Sequence, residues 1–362
     1  MQNQLVSVII PVYNADDKLN RLVKSILNQT YQPVEVIIAD DNSTDSHTLD
    51  IELSWTQKDS RVKVFKNEVN GERYPRLFGV RHSKGAYVTF SDQDDWLPKD
   101  SLQKMMDALQ KYDADVVVGQ ISKTVKIGPV QMSFPQRCNL DLVGTVIQKE
   151  ELMDQYYISY FGLNKLPVSA WGKLYKRSLF ERAISDLEEA LMVESEAKDL
   201  LMSLALHPYI DKLCVIKDVA YSYYIGVPGV SPKYLKVTLP LSCNLFSYKW
   251  KMIEKYNYHK AEFYLAVEMM NYVKAFIRLS SIYDRKNRES YIALLGEVLQ
   301  NTIWEKVEVL LNSNYKDKIL VEWVLAKDAK NIFQKEESLV NNASLTEKIK
   351  YFLLRNTLRF KS

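Results

Sequence analysis

Five short runs of consecutive aliphatic and β-branched residues, alternating with helical stretches, constrain the first third of this chain to one class of fold. They are LVSVIIPVY (5–13), VEVIIAD (34–40), VKVF (62–65), AYVTF (86–90) and DVVVGQI (115–121). Apolar on both faces, they suit buried parallel strands rather than half-exposed ones. Between the first two, Leu19, Leu22, Val23, Ile26 and Leu27 follow the i, i+3, i+4, i+7, i+8 spacing of a helix with one apolar face. Leu102, Met105, Met106 and Leu109 repeat that stripe after the fourth run, with Pro98 set just ahead of the helix. Successive βαβ crossovers predict a doubly wound, mostly parallel α/β sheet. Ligands of such sheets bind beyond the carboxyl ends of the strands, so polar residues there carry the functional reading.

The remainder divides further. Residues 1–120 hold the alternating pattern, 121–234 are mixed with several Tyr and Pro, and 235–362 read as helix throughout. Phe263, Ala266, Val267, Met270, Val273 and Ile277 form one stripe, and Tyr264, Leu265, Met269, Tyr272 and Phe276 cover the other side, which predicts a central buried helix. With 47% apolar and 11% aromatic residues, disorder is excluded. A net charge of +3 gives no ground for a nucleic-acid partner. Cys138, Cys214 and Cys243 form no CxxC pair and read as reduced, buried thiols. The four histidines lack metal-ligand spacing. Neither a secretory leader nor an apolar run of the ~18–20 residues needed to span a bilayer is seen, which predicts a soluble cytoplasmic protein.

The second run ends in Asp40-Asp41-Asn42-Ser43-Thr44-Asp45. Ser43 to Asp45 suit a helix N-cap. Capping does not require Asp40 and Asp41 as well, and their position favours binding. The fourth run ends in Ser91-Asp92-Gln93-Asp94-Asp95-Trp96. Three carboxylates so close destabilise one another unless a cation neutralises them. Hard divalent ions take one or two carboxylates together with substrate phosphates, so a D-x-D at a strand end suits a metal–diphosphate site. The alternative is a solvated turn capping the 99–111 helix. Tyr13, in Pro11-Val12-Tyr13-Asn14, is either core or a face offered to a nucleobase. Arg73 and Arg76, after the Gly71 loop, are either phosphate contacts or part of an ordinary surface loop.

Together these pieces resemble the family-two glycosyltransferases of GT-A fold, of the bacterial polysaccharide and teichoic-acid type. The matching segments are 6–14, 25–31, 34–45, the Gly71 loop with 75–80, 84–98, and Ser169-Ala170-Trp171-Gly172-Lys173-Leu174-Tyr175, with the resemblance extending to about residue 231. It implies a GT-A sheet whose donor half is 1–120 and acceptor half 121–234, followed by a helical module at 235–362. It also implies an inverting transferase that uses Mn²⁺ or Mg²⁺ and a UDP-sugar, and acts on a glycan or a lipid- or protein-linked sugar. The implied donor set is Pro11, Val12, Tyr13, Asn14, Asp40, Asp41, Arg76, Asp92 and Gln93. Within it Tyr13 stacks on uracil, Asp41 accepts from its N3–H, Arg76 lies near the diphosphate and Asp92 near the ribose and sugar. Asp94 is the implied metal ligand.

The family's base lies in a Glu-Asp pair opening a helix. Register on Leu200-Leu201-Met202 and on the Leu213-Cys214-Val215-Ile216 strand puts Asp199 there, with Glu196 in reserve and Lys198 where the family has Glu. Trp171, Lys173 and Asp95 are the implied acceptor residues; Tyr175 and His207 read as structural. The replacement at Lys198 supports the alternative of a catalytically weak nucleotide-sugar-binding subunit. Residues 235–362 carry 21 basic against 14 acidic residues, +7, whereas 1–234 total −4. Packing or self-association into a homo-oligomer is expected of these helices. Weak contact with the inner face of the membrane is expected of 346–362 alone, where apolar and basic residues mix.

Overall fold

The structure, a computed structural model, describes residues 4–68, 74–127, 130–136, 140–163, 165–225 and 232–343. It falls into two compact units interleaved in sequence. The first takes in Met1–Met153, Leu166–Glu188 and Met202–Val227, and the second Asp154–Lys165, Glu189–Leu201 and Pro228–Ser362. The sequence-based halves at 1–120 and 121–234 thus share one unit for most of their length, because their strands form one sheet.

That sheet has nine strands: β1 (Val6–Val12), β2 (Val34–Asp40), β3 (Val62–Lys66), β4 (Tyr87–Phe90), β5 (Val116–Ile127), β6 (Val130–Gln136), β7 (Val146–Gln148), β8 (Lys173–Lys176) and β9 (Lys212–Ile225). The order is β3-β2-β1-β4-β8-β5-β9-β7, with β6 paired to β5. β3, β2, β1 and β4 are mutually parallel. β8 then runs antiparallel to both β4 and β5, while β5 and β9 are parallel again. The sheet is therefore α/β and mixed, with β1 to β4 wholly parallel.

The expected two-sided burial holds: every residue of β2, and every residue of β1 except Pro11, is buried. Helix α1 (Lys18–Leu27) covers the sheet with Leu19, Leu22, Val23 and Ile26, and helix α4 (Ser101–Tyr112) with Leu102, Met105, Met106 and Leu109. Each such side chain contributes roughly 1.5–3 kcal/mol by leaving water. Two glycines allow close approaches that position the site. A Cβ on Gly79, in the Pro75–His82 helix, would lie 2.4 Å from Ile9 Cγ2, so its absence lets that helix sit against β1. A Cβ on Gly119 would lie 2.2 Å from the Ala220 Cβ, at a point where the β5–β9 register shifts. The irregularity carries β9 onward, and Ser222 then pairs with Trp96 beyond the end of β4.

The second unit is mainly helical, with helices Pro232–Tyr256, Ala261–Tyr283, Arg288–Val298, Lys318–Leu325 and Ala329–Asn341. Ala261–Tyr283 buries Leu265, Ala266, Met269, Met270, Val273, Phe276 and Ile277, as its pattern predicts. Lys249, fully buried, meets Glu268 through two bonds of 2.6 and 2.7 Å. Among the described residues no helix is long and apolar enough to cross a membrane. Arg73, Cys138 and the 346–362 segment lie outside the described residues.

Candidate active site

Three strand ends, β1, β2 and β4, meet at one edge of the sheet. Tyr13 follows β1 directly and is 46% exposed, so its ring is presented rather than packed. Gln93 clamps its backbone: the Tyr13 N–H donates to Gln93 Oε1 at 3.0 Å and Gln93 Nε2 donates to the Tyr13 carbonyl at 3.2 Å. Gln93 therefore acts by tying β1 to the β4 loop. Asn14 is left-handed (φ 46°); its N–H donates to Ser43 Oγ and its Oδ1 accepts from the Thr44 N–H, both at 3.0 Å. The Val12 side chain is buried and Pro11 half-buried. Val12 enters the site through its carbonyl, which accepts from the Asp41 N–H at 2.7 Å.

The second acidic pair separates into two roles. Asp40 is fully buried and accepts from the Ser43 N–H and Oγ, with Lys66 Nζ at 3.7 Å. Its Oδ1 thereby builds the turn after β2. Asp41, one residue on, is half-buried, and its carboxylate accepts from Asn67 Nδ2 at 3.0 Å.

The β4 loop resolves its three carboxylates in three ways. Asp92 accepts from buried Arg76 at 2.5 Å. Arg76 thus holds a carboxylate, since a buried guanidinium needs a counter-charge. Asp95 is fully buried and accepts from the Tyr221 hydroxyl (2.6 Å) and the Tyr224 N–H (2.7 Å). Burial first, and the nearby Asp92 charge second, push its carboxyl up to about 8. Only Asp94 stands half-exposed with no hydrogen bond to its carboxylate among the described residues; its carbonyl accepts from Arg21 at 2.7 Å. Mutual repulsion is thus relieved at Asp92 by Arg76.

No three His, Cys, Asp or Glu side chains converge as a protein-only metal cage among the described residues. Asp94 nevertheless fits a hard cation that draws its other ligands from a diphosphate.

Sequence reasoning missed the residue that organises this loop. The Tyr221 hydroxyl, fully buried, accepts from the Asp92 N–H at 2.9 Å while donating to Asp95, and Ser91 Oγ reaches it at 3.3 Å. Tyr221 sits on β9, more than a hundred residues from the acidic motif. Arg21, on α1, also went unread; its guanidinium lies 4.3 Å above the Trp96 ring. A lone arginine in an amphipathic helix carries no signal.

Trp171 stacks on Tyr221 at 4.7 Å and on Tyr223 at 5.5 Å, so it lies beside the hub. Lys173 is buried, with Nζ donating to the Pro167 carbonyl at 2.6 Å. Tyr175 is core, and His207, buried and pushed down to about 4 by that burial, bonds the Leu152 carbonyl at 2.9 Å. In the second unit Asp199 occupies the first turn of the Lys198–Leu206 helix and is buried, whereas Glu196 is exposed in the turn before it. Lys198 donates to the Leu191 and Val193 carbonyls at 2.8 and 2.7 Å, and burial lowers its ammonium pKa.

Comparison with known proteins agrees with this architecture. The chain is 26% identical to glycosyltransferase GlyA of Streptococcus pneumoniae over 86% of its own length and 44% of the relative's. Against the poly(ribitol-phosphate) beta-glucosyltransferase of Bacillus spizizenii it is 32% identical over 62% of this chain and 33% of the other. It therefore spans less than half the length of either relative. The crystal structure of S. aureus TarS 1-349 in complex with UDP-GlcNAc superposes with a TM-score of 0.63 at 21% identity, covering 94% of this chain and 93% of that one. That likeness fixes the GT-A fold. Residues 7–182 match the model of glycosyl transferase family 2.

Proposed function

We propose that the chain transfers a sugar, with inversion, from a UDP-sugar to a hydroxyl of a glycan or of a lipid- or protein-linked acceptor. One observation carries the reading. An exposed aromatic (Tyr13) and an acceptor carboxylate (Asp41) end the neighbouring strands β1 and β2, while Asp92 and Asp94 follow β4 on the other flank of β1. Strands lie about 4.8 Å apart, so the two groups span roughly 10 Å, the reach of a base at one end and a diphosphate at the other. The TarS complex with UDP-GlcNAc, in the same fold, supports a uridine nucleotide.

In this reading Tyr13 stacks on the base and Asp41 accepts from its N–H. Asp92, held by Arg76, orients the ribose or sugar. Asp94 would hold Mg²⁺ or Mn²⁺, which when bound would supply positive charge against that of the leaving UDP. The acceptor oxygen forms its bond to the anomeric carbon as the bond from that carbon to UDP breaks. Asp199 takes the acceptor proton.

UDP release measured over a panel of UDP-sugars, with Mn²⁺ and with EDTA, tests the proposal. Asp94→Asn is expected to abolish release while the fold, read by circular dichroism, stays intact. Full activity of that variant or of the wild type in EDTA would overturn the metal role, and absence of UDP binding by calorimetry would overturn the nucleotide reading.

A further inference from the structure

In the loop after β4, Asp92, Gln93, Asp95 and Trp96 are each tied to β9 or to the residue after β1. The Asp92 N–H and the Asp95 carboxyl meet the Tyr221 hydroxyl, and Gln93 clamps Tyr13. Trp96 exchanges backbone bonds with Ser222 at 3.2 and 3.0 Å. Asp94 shares none of these ties. It occupies the third position of a turn that the Asp95 N–H closes on the Asp92 carbonyl at 3.1 Å. Among the described residues, the hydrogen bond that reaches Asp94 comes from α1, where Arg21 Nη2 donates to its carbonyl at 2.7 Å.

The arm that makes this bond is rigid at both ends. Helix α1 is seated on the sheet by Leu19, Leu22, Val23 and Ile26. The Arg21 guanidinium lies 4.3 Å over the Trp96 ring and 5.7 Å over the Tyr224 ring, and it forms no ion pair among the described residues. A planar guanidinium can lie face-on to a ring and donate in its own plane at once, which an ammonium cannot. Fixing the Asp94 carbonyl fixes the peptide plane that follows it, and with it the direction of the Asp94 Cα–Cβ bond. We infer that Arg21 is a positioning residue for the donor site: by holding the Asp94 carbonyl it aims the Asp94 carboxylate, and so sets how well the site takes a divalent cation together with a nucleoside diphosphate. The inference rests on the metal role proposed for Asp94.

Amide exchange of the metal-free protein and calorimetric titration of the full chain with UDP, in Mn²⁺ and in EDTA, provide the test. In Arg21→Ala the Asp95 amide should exchange faster, while the Asp92 amide, held by Tyr221, keeps its wild-type rate. UDP affinity in Mn²⁺ should fall about tenfold, the worth of one hydrogen bond from a charged donor, with affinity in EDTA unchanged. Arg21→Lys keeps the charge without the planar face and should show both effects in smaller measure. In an Asp94→Asn background Arg21→Ala should add nothing, because its effect passes through that carboxylate. Unchanged Asp95 exchange in both Arg21 variants, an equal loss of UDP affinity in Mn²⁺ and in EDTA, or additive losses in the double variant would each overturn the inference. A wild type that binds UDP equally in Mn²⁺ and in EDTA would overturn the metal role of Asp94 and the inference with it, so the wild-type comparison tells the two failures apart.

Discussion

Replacing Tyr221 by Phe isolates the hub beneath the acidic loop. The ring stays, so the stack with Trp171 at 4.7 Å is retained and only the hydroxyl is lost. Two interactions go with it: the 2.6 Å bond to Asp95 and the 2.9 Å bond accepted from the Asp92 N–H. A buried polar group left without its partner costs about 1–3 kcal/mol, so the two together are worth about 2–6 kcal/mol. At roughly 2–4 °C per kcal/mol for a unit of this size, the melting temperature should fall by roughly 4–24 °C. Amide exchange at Asp92 should accelerate while exchange in α1 changes only with global stability. Because Asp92 and Asp94 flank the loop that the hydroxyl holds, UDP affinity should weaken as well. A variant within about 0.5 kcal/mol of wild type, with Asp92 exchange unchanged, would refute the hub.

Other perturbations probe separate parts of the molecule. Asp199→Asn should lower kcat by about 10²–10⁴-fold while UDP affinity stays constant, since a base touches the acceptor and not the nucleotide; if Glu196→Gln is inactive and Asp199→Asn is not, the base is Glu196. Lys249→Met leaves Glu268 buried without its counter-charge and should cost about 3–5 kcal/mol in urea unfolding, whereas Lys249→Met/Glu268→Leu should recover most of the loss. A single variant as stable as wild type would show that the pair is solvated. Glu52 is raised to about 7, first by burial and then by the neighbouring Asp40 charge. Its folded form binds a proton more tightly than its unfolded form, so it withdraws stability as pH rises from about 4.5 to about 7. After solvent screening, Glu52→Gln should remove about 1–2 kcal/mol of that slope, read as the difference in unfolding free energy between pH 5 and 7.5; an unchanged slope would assign it to another group.

What could be read from the chain alone follows from how far each interaction reaches along it. Periodicity within ten residues placed the strands β1 to β4 and the helices α1 and α4, because a buried parallel strand and a one-faced helix each write their pattern locally. Composition at a strand end located the acidic edge for the same reason. Neighbouring carboxylates, however, look alike in sequence and were divided only by depth: Asp40 and Asp95 are fully buried, whereas Asp41 and Asp94 are half-exposed. Depth at a loop depends on what a distant segment lays over it. Asp95 becomes an interior residue because Tyr221, 126 positions later, covers and bonds it. Arg76 turns inward because Asp92, 16 positions later, supplies its counter-charge. Lys173 is drawn in by a carbonyl six positions earlier, a short separation, yet a carbonyl is present at every residue and marks none. The acidic motif therefore specified where charge would gather. The β5–β9 register shift, which delivers Tyr221 to Asp92 and Asp95, determined which of those charges would remain available to a ligand.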